Sequence, residues 1–128
     1  MKKRYFFECK VVRQLGERNG KKYIILGLED DDVSQVRKQQ LSSAYLLKNE
    51  KIMNPLELDN LEVKVPYRYN RVMCKTFGSK TIHELVVGDT LEVELEYGGV
   101  WNIGEWCGYS WKLNQLNLTT KGSLSSQI

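Results

Sequence analysis

The chain has 128 residues, a net charge of +3 and an apolar fraction of 41%, which predicts one domain with one modest core. No stretch approaches the roughly 20 apolar residues of a membrane span, so we expect no membrane partner. The basic opening lacks the apolar region of a secretory signal. Three scattered cysteines and a single histidine argue against a structural metal site and predict reduced thiols in a cytoplasmic protein without a cofactor.

The charges are segregated along the chain. Residues 1–22 carry eight basic and two acidic side chains, and residues 64–80 carry five basic and no acidic ones. The segments 23–63 and 81–128 each have a net charge of −4. Two basic stretches on one face of a sheet would suit a polyanion. The alternative is that these basic side chains are simply exposed at the surface and do not form a binding site.

The first half of the chain predicts a hairpin followed by a helix. Residues 4–15 alternate in the manner of a strand, Asn19-Gly20 suits a tight turn, and residues 22–28 form the second strand. Asp30, Asp31 and Asp32 place negative charge and an N-cap before a helix that ends ahead of Pro55. One face of this helix carries Val33, Val36, Gln40, Ala44 and Leu47.

The second half predicts three more strands. The third begins near Leu61, is bent or lies at an edge at Pro66, and resumes over residues 71–77. Residues 78–88 form a short helical turn or a compact loop. The fourth strand spans 90–97, and a long hairpin connection leads from it to a last strand over 109–118. We expect the fourth strand to direct Leu91, Val93, Leu95 and Tyr97 to the core and Glu92, Glu94 and Glu96 to solvent.

Five strands with a helical segment between the third and fourth fit a small closed barrel better than a sandwich. The passage RVMCKTFGSKTIHELVVGDTLEVELEY, residues 71–97, resembles the third strand, short helix and fourth strand of OB-fold single-stranded-DNA-binding proteins of bacteria and phages. Leu85-Val86-Val87-Gly88-Asp89 is similar to their Leu-x-x-Gly-Asp turn, and YSWKLNQL resembles their closing strand. The resemblance implies a mainly β fold, a five-stranded OB-like barrel with one or two short helices over residues 1–118, and a polar tail over 119–128.

Two features depart from that family. A predicted helix lies between the second and third strands, where the family usually has a loop. The tail is not acidic, so recruitment of partners through an acidic tail is not implied, and a phage or plasmid relative is the more natural comparison.

The resemblance implies a function in binding. We expect sequence-independent binding of single-stranded DNA, with RNA as a second ligand, to coat and protect exposed strands in replication or recombination. A homo-oligomer is expected, in the host cytoplasm if the source is viral. Basic side chains would contact phosphates and aromatic rings would stack on bases. The phosphate candidates are Lys10, Arg13, Lys21, Lys22, Arg71 and Lys75. The stacking candidates are Tyr67, Tyr69, Phe77, Trp101 and Trp106.

Several alternatives stay open at this point. Tyr67 and Phe77 could be core residues, and Trp101 and Trp106 could form a cross-strand pair that stiffens a hairpin. We expect Trp111 in the core. His83 lacks the second histidine of a His-Glu-x-x-His metal site, and we expect no enzyme. The alternative function is a small β-barrel interaction module, such as a phage-encoded inhibitor or virion component, whose aromatic hairpin docks on a protein.

Overall fold

The computed structural model describes residues 3–69, 71–78 and 80–118, so the predicted tail at 119–128 lies outside the described residues. Short 3-10 turns occur at Ala44–Leu46 and Ile82–Glu84. The helix and strands, in chain order, are β1 (Lys3–Arg18), β2 (Lys21–Gly27), α1 (Asp30–Ser42), β3 (Lys51–Met53), β4 (Leu56–Glu57), β5 (Asn60–Val65), β6 (Tyr67–Arg68), β7 (Arg71–Val72), β8 (Lys75–Phe77), β9 (Thr90–Ile103) and β10 (Trp106–Leu118).

Five of these strands close a ring. β1 pairs with β2, β2 with β5, β9 with β1 and β10 with β9, all antiparallel. The ring closes through a parallel pairing of β5 with β10 at Lys64 and Lys112. The predicted mainly β class is confirmed, whereas the predicted count of five strands is wrong for the described part of the chain. The additional strands are short: β3 and β8 lie parallel to β10, β4 pairs with β5, and β6 pairs with β7.

The opening hairpin forms as the sequence predicts. Asn19 and Gly20 both have positive φ, at 55° and 78°, which matches the twist that a two-residue hairpin turn needs. The inward side chains of β1 and β9 also follow the predicted alternation, since Phe7, Leu91 and Leu95 are buried in the core that fills the ring. Trp111 is buried in the same core, as predicted.

The predicted helix is too long. It ends at Ser42, and Ala44 and Leu47 are only partly buried. The hydroxyl groups of Ser42 and Ser43 donate hydrogen bonds to the carbonyl oxygens of Gln39 and Gln40, and such local bonds compete with continued helix. The aspartate run forms the first turn of the helix and does not supply its cap, which is Glu29. No helix among the described residues is long and apolar enough to span a membrane.

The third predicted strand is divided. Its first part ends at Val65, just before Pro66, and β6 and β7 then form a separate two-stranded hairpin. Tyr69 lies at the turn of this hairpin with φ of 54°. Because the chain reverses direction here, residues 67–77 cannot present one continuous face to a ligand. The segment 78–88 does contain the expected short helical turn, with a capping box between Thr81 and Glu84.

The long connection predicted after Gly98 is instead part of two strands. β9 continues to Ile103, β10 begins at Trp106, and only Gly104 and Glu105 lie between them. The prediction that three glutamates of β9 face solvent is also wrong in part, because Glu96 is only 7% exposed. The ammonium of Lys112 lies 3.6 Å from its carboxylate, and the amide of Asn114 donates to it at 3.3 Å. These contacts offset the cost of burying the charge.

Candidate functional site

A cleft of about 500 Å³ crosses the outer surface of the ring. It lies between the turn that joins β1 to β2 and the β9–β10 hairpin, over the outward faces of β2 and β5. Lys21, Tyr23 and Lys64 are among the residues that line its floor, and Trp101 and Tyr109 come from the hairpin. The cleft therefore combines cationic side chains with aromatic rings.

Tyr23 and Lys64 of the floor belong to one row of side chains that runs across four strands. Tyr23 of β2 is the register partner of Lys64 in β5, and Lys64 is the partner of Lys112 in β10. Lys112 in turn is opposite Glu96 of β9. Burial lowers the pKa of Lys64, and the positive charges of Lys21 and Lys112 lower it further. The row thus places two ammonium groups side by side next to a tyrosine ring.

Arg18 closes one side of the cleft. Its guanidinium donates two hydrogen bonds to the carboxylate of Glu62, at 2.8 and 3.1 Å. The same guanidinium lies 4.5 Å from the centre of the Tyr23 ring. The hydrogen bonds to Glu62 raise the pKa of Arg18 above its ordinary value. Arg18 is therefore oriented both by a carboxylate and by an aromatic ring.

Trp101 is held in the opposite wall by a close approach to glycine. Trp101 is the register partner of Gly108, and a Cβ added at Gly108 would lie 2.9 Å from Cζ2 of Trp101 and 2.5 Å from the carbonyl oxygen of Met53. Only glycine leaves room for both neighbours. This packing fixes the indole where it lines the cleft.

A buried amide connects α1 to the cleft. Trp111 Nε1 donates to Gln40 Oε1 at 3.0 Å, and Gln40 Nε2 donates to Asn54 Oδ1 at 3.0 Å. The backbone N–H of Leu56 donates to the same Asn54 oxygen. Trp111 and Asn54 both line the cleft. Gln40 thus positions two of its residues, a role that its place on the apolar face of the helix did not reveal.

Of the residues predicted for binding, Lys21 and Trp101 line the cleft together. Trp106 lies outside it, next to the hairpin turn, where Lys51 approaches its ring at 5.5 Å. The two tryptophans do lie on the two arms of the hairpin. They are diagonal neighbours and not directly opposite partners, because Trp106 is opposite Ile103 and Trp101 is opposite Gly108.

The remaining candidates of the first basic stretch are spread along the hairpin. Lys22 donates to Glu17 at 2.7 Å and lies 5.0 Å from the centre of the half-buried Tyr67 ring. Arg13 is exposed opposite Ile25. Lys10 lies at the far end, opposite Gly27, in a depression that also contains Glu8 and Asp59.

The candidates of the second basic stretch do not line the cleft either. Arg71 is the strand register partner of Arg68 in the small hairpin. Tyr69 lies at the turn of this hairpin and is 85% exposed. Lys75 and Phe77 belong to β8, opposite Gln115 and Asn117 of β10. Phe77 is half-exposed, so its reading as a core residue is wrong. The predicted candidates of the second basic stretch therefore do not share the cleft, although Lys64 of the same stretch lines it with Lys21.

Four cleft residues were missed at the sequence level, Arg18, Tyr23, Lys64 and Tyr109, and so was Lys112, the register partner of Lys64. The signal for Tyr23 and Lys64 is the alternation of their strands, because Tyr23 precedes buried Ile24 and Lys64 stands between buried Val63 and Val65, so both must face outward. Nothing in the sequence indicates that Lys112 becomes the neighbour of Lys64, because 47 intervening residues separate them.

The described residues contain no group of three or more histidine, cysteine, aspartate or glutamate side chains placed to hold a metal ion. Burial raises the pKa of the Cys9 thiol to about 12 and that of Cys74 to about 11, which keeps both thiols protonated. Comparison of the chain with protein-family models, with curated proteins and with solved structures finds no match.

Proposed function

We propose that the protein binds single-stranded nucleic acid in the cleft between the β1–β2 turn and the β9–β10 hairpin. The observation that carries this proposal is the combination of ammonium groups at Lys21 and Lys64 with the rings of Trp101 and Tyr109 in one cleft. Single strands expose phosphates and base faces together, and this combination matches both. DNA is the proposed ligand, with RNA the second, and the role is to coat and protect exposed strands in replication or recombination.

The strand order supports an OB-like barrel as the framework. The ring contains five long strands, of which the first three form a meander and the last two form a hairpin. OB-folds bind oligonucleotides on the face of their second and third strands, between the loops that join strands one to two and four to five. The cleft occupies the equivalent position here, over β2 and β5 and between the two corresponding turns.

Titration with oligo-dT tests the proposal. We expect Trp101→Ala to weaken binding by about 1–3 kcal/mol, the usual contribution of a stacked base. Phe6→Ala is the matched control, because Phe6 is an exposed ring in a depression that does not share the cleft. Binding that is absent in the unaltered protein, or equal losses in both variants, would remove the cleft as the binding site.

The second candidate is a protein-binding module that uses the tip of the β9–β10 hairpin. Ile103 is 70% exposed and its register partner Trp106 is 43% exposed. Exposed apolar groups of this kind mark protein contacts, and they also support the proposed self-association. Salt separates the two functions: affinity for nucleic acid falls steeply as salt rises, whereas an apolar protein contact changes little. Sedimentation at several protein concentrations tests self-association.

A further inference from the structure

The parallel rung that closes the ring places like charges opposite each other. Lys64 and Lys112 are the register partners of β5 and β10, and both side chains lie on the outer surface, between buried neighbours. Like charges directly opposite on neighbouring strands are destabilising. Lys21 adds a third positive charge that acts on Lys64. The free protein therefore accumulates positive charge where its ring closes.

The nearby carboxylates neutralise this charge only in part, since Glu96 pairs with Lys112 but not with Lys64. Glu62 is engaged by two hydrogen bonds from Arg18. Glu96 approaches Lys112 and Asn114. Lys64 itself forms no ion pair with any described residue. An anion from outside the chain would supply the missing partner.

We propose that Lys64 and Lys112, with Lys21, form a seat for one phosphate group at the rung that closes the ring. This inference rests on the proposed function, and it assigns to one rung the point at which the cleft holds the sugar–phosphate backbone. A phosphate oxygen accepts hydrogen bonds from both ammonium groups. Tyr23 and Arg18 lie on the β2 side of the seat, and the aromatic wall of the hairpin receives the adjoining base.

The seat predicts that Lys64 serves binding at the expense of stability. Lys64→Gln should reduce the slope of log affinity for oligo-dT against log salt by about 0.7, the contribution of one phosphate contact on a single strand. The affinity gained when salt is lowered from 1 M to 0.1 M should therefore be about fivefold smaller for the variant than for the unaltered protein. The same variant should unfold at an equal or higher urea concentration, because it removes a like-charge pair. A residue with a merely structural role would lower that concentration.

Lys38→Gln is the matched control. Lys38 is an exposed lysine of α1, and its replacement should leave the salt slope unchanged. If Lys64→Gln also leaves the slope unchanged while the unaltered protein binds oligo-dT, the phosphate seat is overturned and the proposed function stands.

A second measurement does not depend on nucleic acid. Titration with inorganic pyrophosphate, followed by NMR of the lysine ammonium groups, should shift the Lys64 signal before that of Lys38. A Lys64 signal that moves no more than that of Lys38 overturns the seat. If oligo-dT does not bind but pyrophosphate selectively shifts Lys64, the proposed function fails and the anion site stands.

Discussion

Gln40 shows how one buried side chain can position two distant parts of a binding cleft. It is only 3% exposed, and its amide receives a hydrogen bond from Trp111 and donates one to Asn54. Gln40 and the indole N–H of Trp111 need partners because both side chains are buried away from water. The residue therefore links the helix to β10 and to the segment that follows β3.

At this scale we predict the consequence of removing the amide. Gln40→Ala leaves the indole N–H of Trp111 without its partner, and we expect a loss of about 1–3 kcal/mol in the free energy of unfolding. Gln35→Ala is the control, because Gln35 is exposed on the same helix. Urea denaturation measures both variants. Equal stability of the two would contradict the role assigned to the buried network.

At the scale of elements, Gly108 determines how closely three strands approach one another. A Cβ at this position would lie against the ring of Trp101 in β9 and the last carbonyl group of β3. β3 is a strand of three residues whose side chains are all exposed. Its position therefore depends on pairing with β10 more than on burial.

We predict that Gly108→Ala separates these elements. The added methyl group would lie 2.5 Å from the Met53 carbonyl oxygen, and overpacking of this kind costs about 1–3 kcal/mol. The displaced Trp101 should change the tryptophan fluorescence and weaken oligo-dT binding. Gly16→Ala is the control, since a Cβ added at Gly16 would lie 3.9 Å from its nearest neighbour, the carbonyl oxygen of Gln14. An unchanged spectrum with full stability would show that the close packing is not needed.

At the scale of the whole molecule, the basic residues form more than one surface. Lys21 lines the cleft, whereas Lys10 lies at the other end of the same hairpin beside acidic groups. Lys21 lies six positions before Gly27, the partner of Lys10, a distance of about 20 Å along an extended strand. A net charge summed over residues 1–22 therefore does not describe the surface that a ligand meets.

This separation predicts unequal effects of two similar substitutions. Lys21→Ala should shallow the salt dependence of oligo-dT binding by about 0.7 in slope, because it removes one phosphate contact. Lys10→Ala should leave the slope unchanged. Both residues are exposed lysines, so the two substitutions change the net charge of the protein by the same amount. The same change in slope for both would favour a broad positive surface over a single cleft.

The part of the binding site that could be predicted from the sequence depends on features of neighbouring residues. Lys21 was identified because it belongs to the basic opening hairpin, and Trp101 because it lies among glycines in the connection between the last two strands. Residues 67–77 were assigned to one face because side chains alternate along an unbroken strand. Pro66 and the turn at Tyr69 interrupt that strand, so the alternation does not continue through it.

The sequence by itself determined the mainly β class, the opening hairpin and the alternation that buries Leu91, Val93 and Leu95. These features depend on backbone preferences and on a period of two residues, which neighbouring positions encode. Only the tertiary structure decided that β5 closes on β10 and that Lys64 meets Lys112. The physical reason is that pairing between strands distant in sequence is selected by the packing of the whole core, to which no single segment gives access.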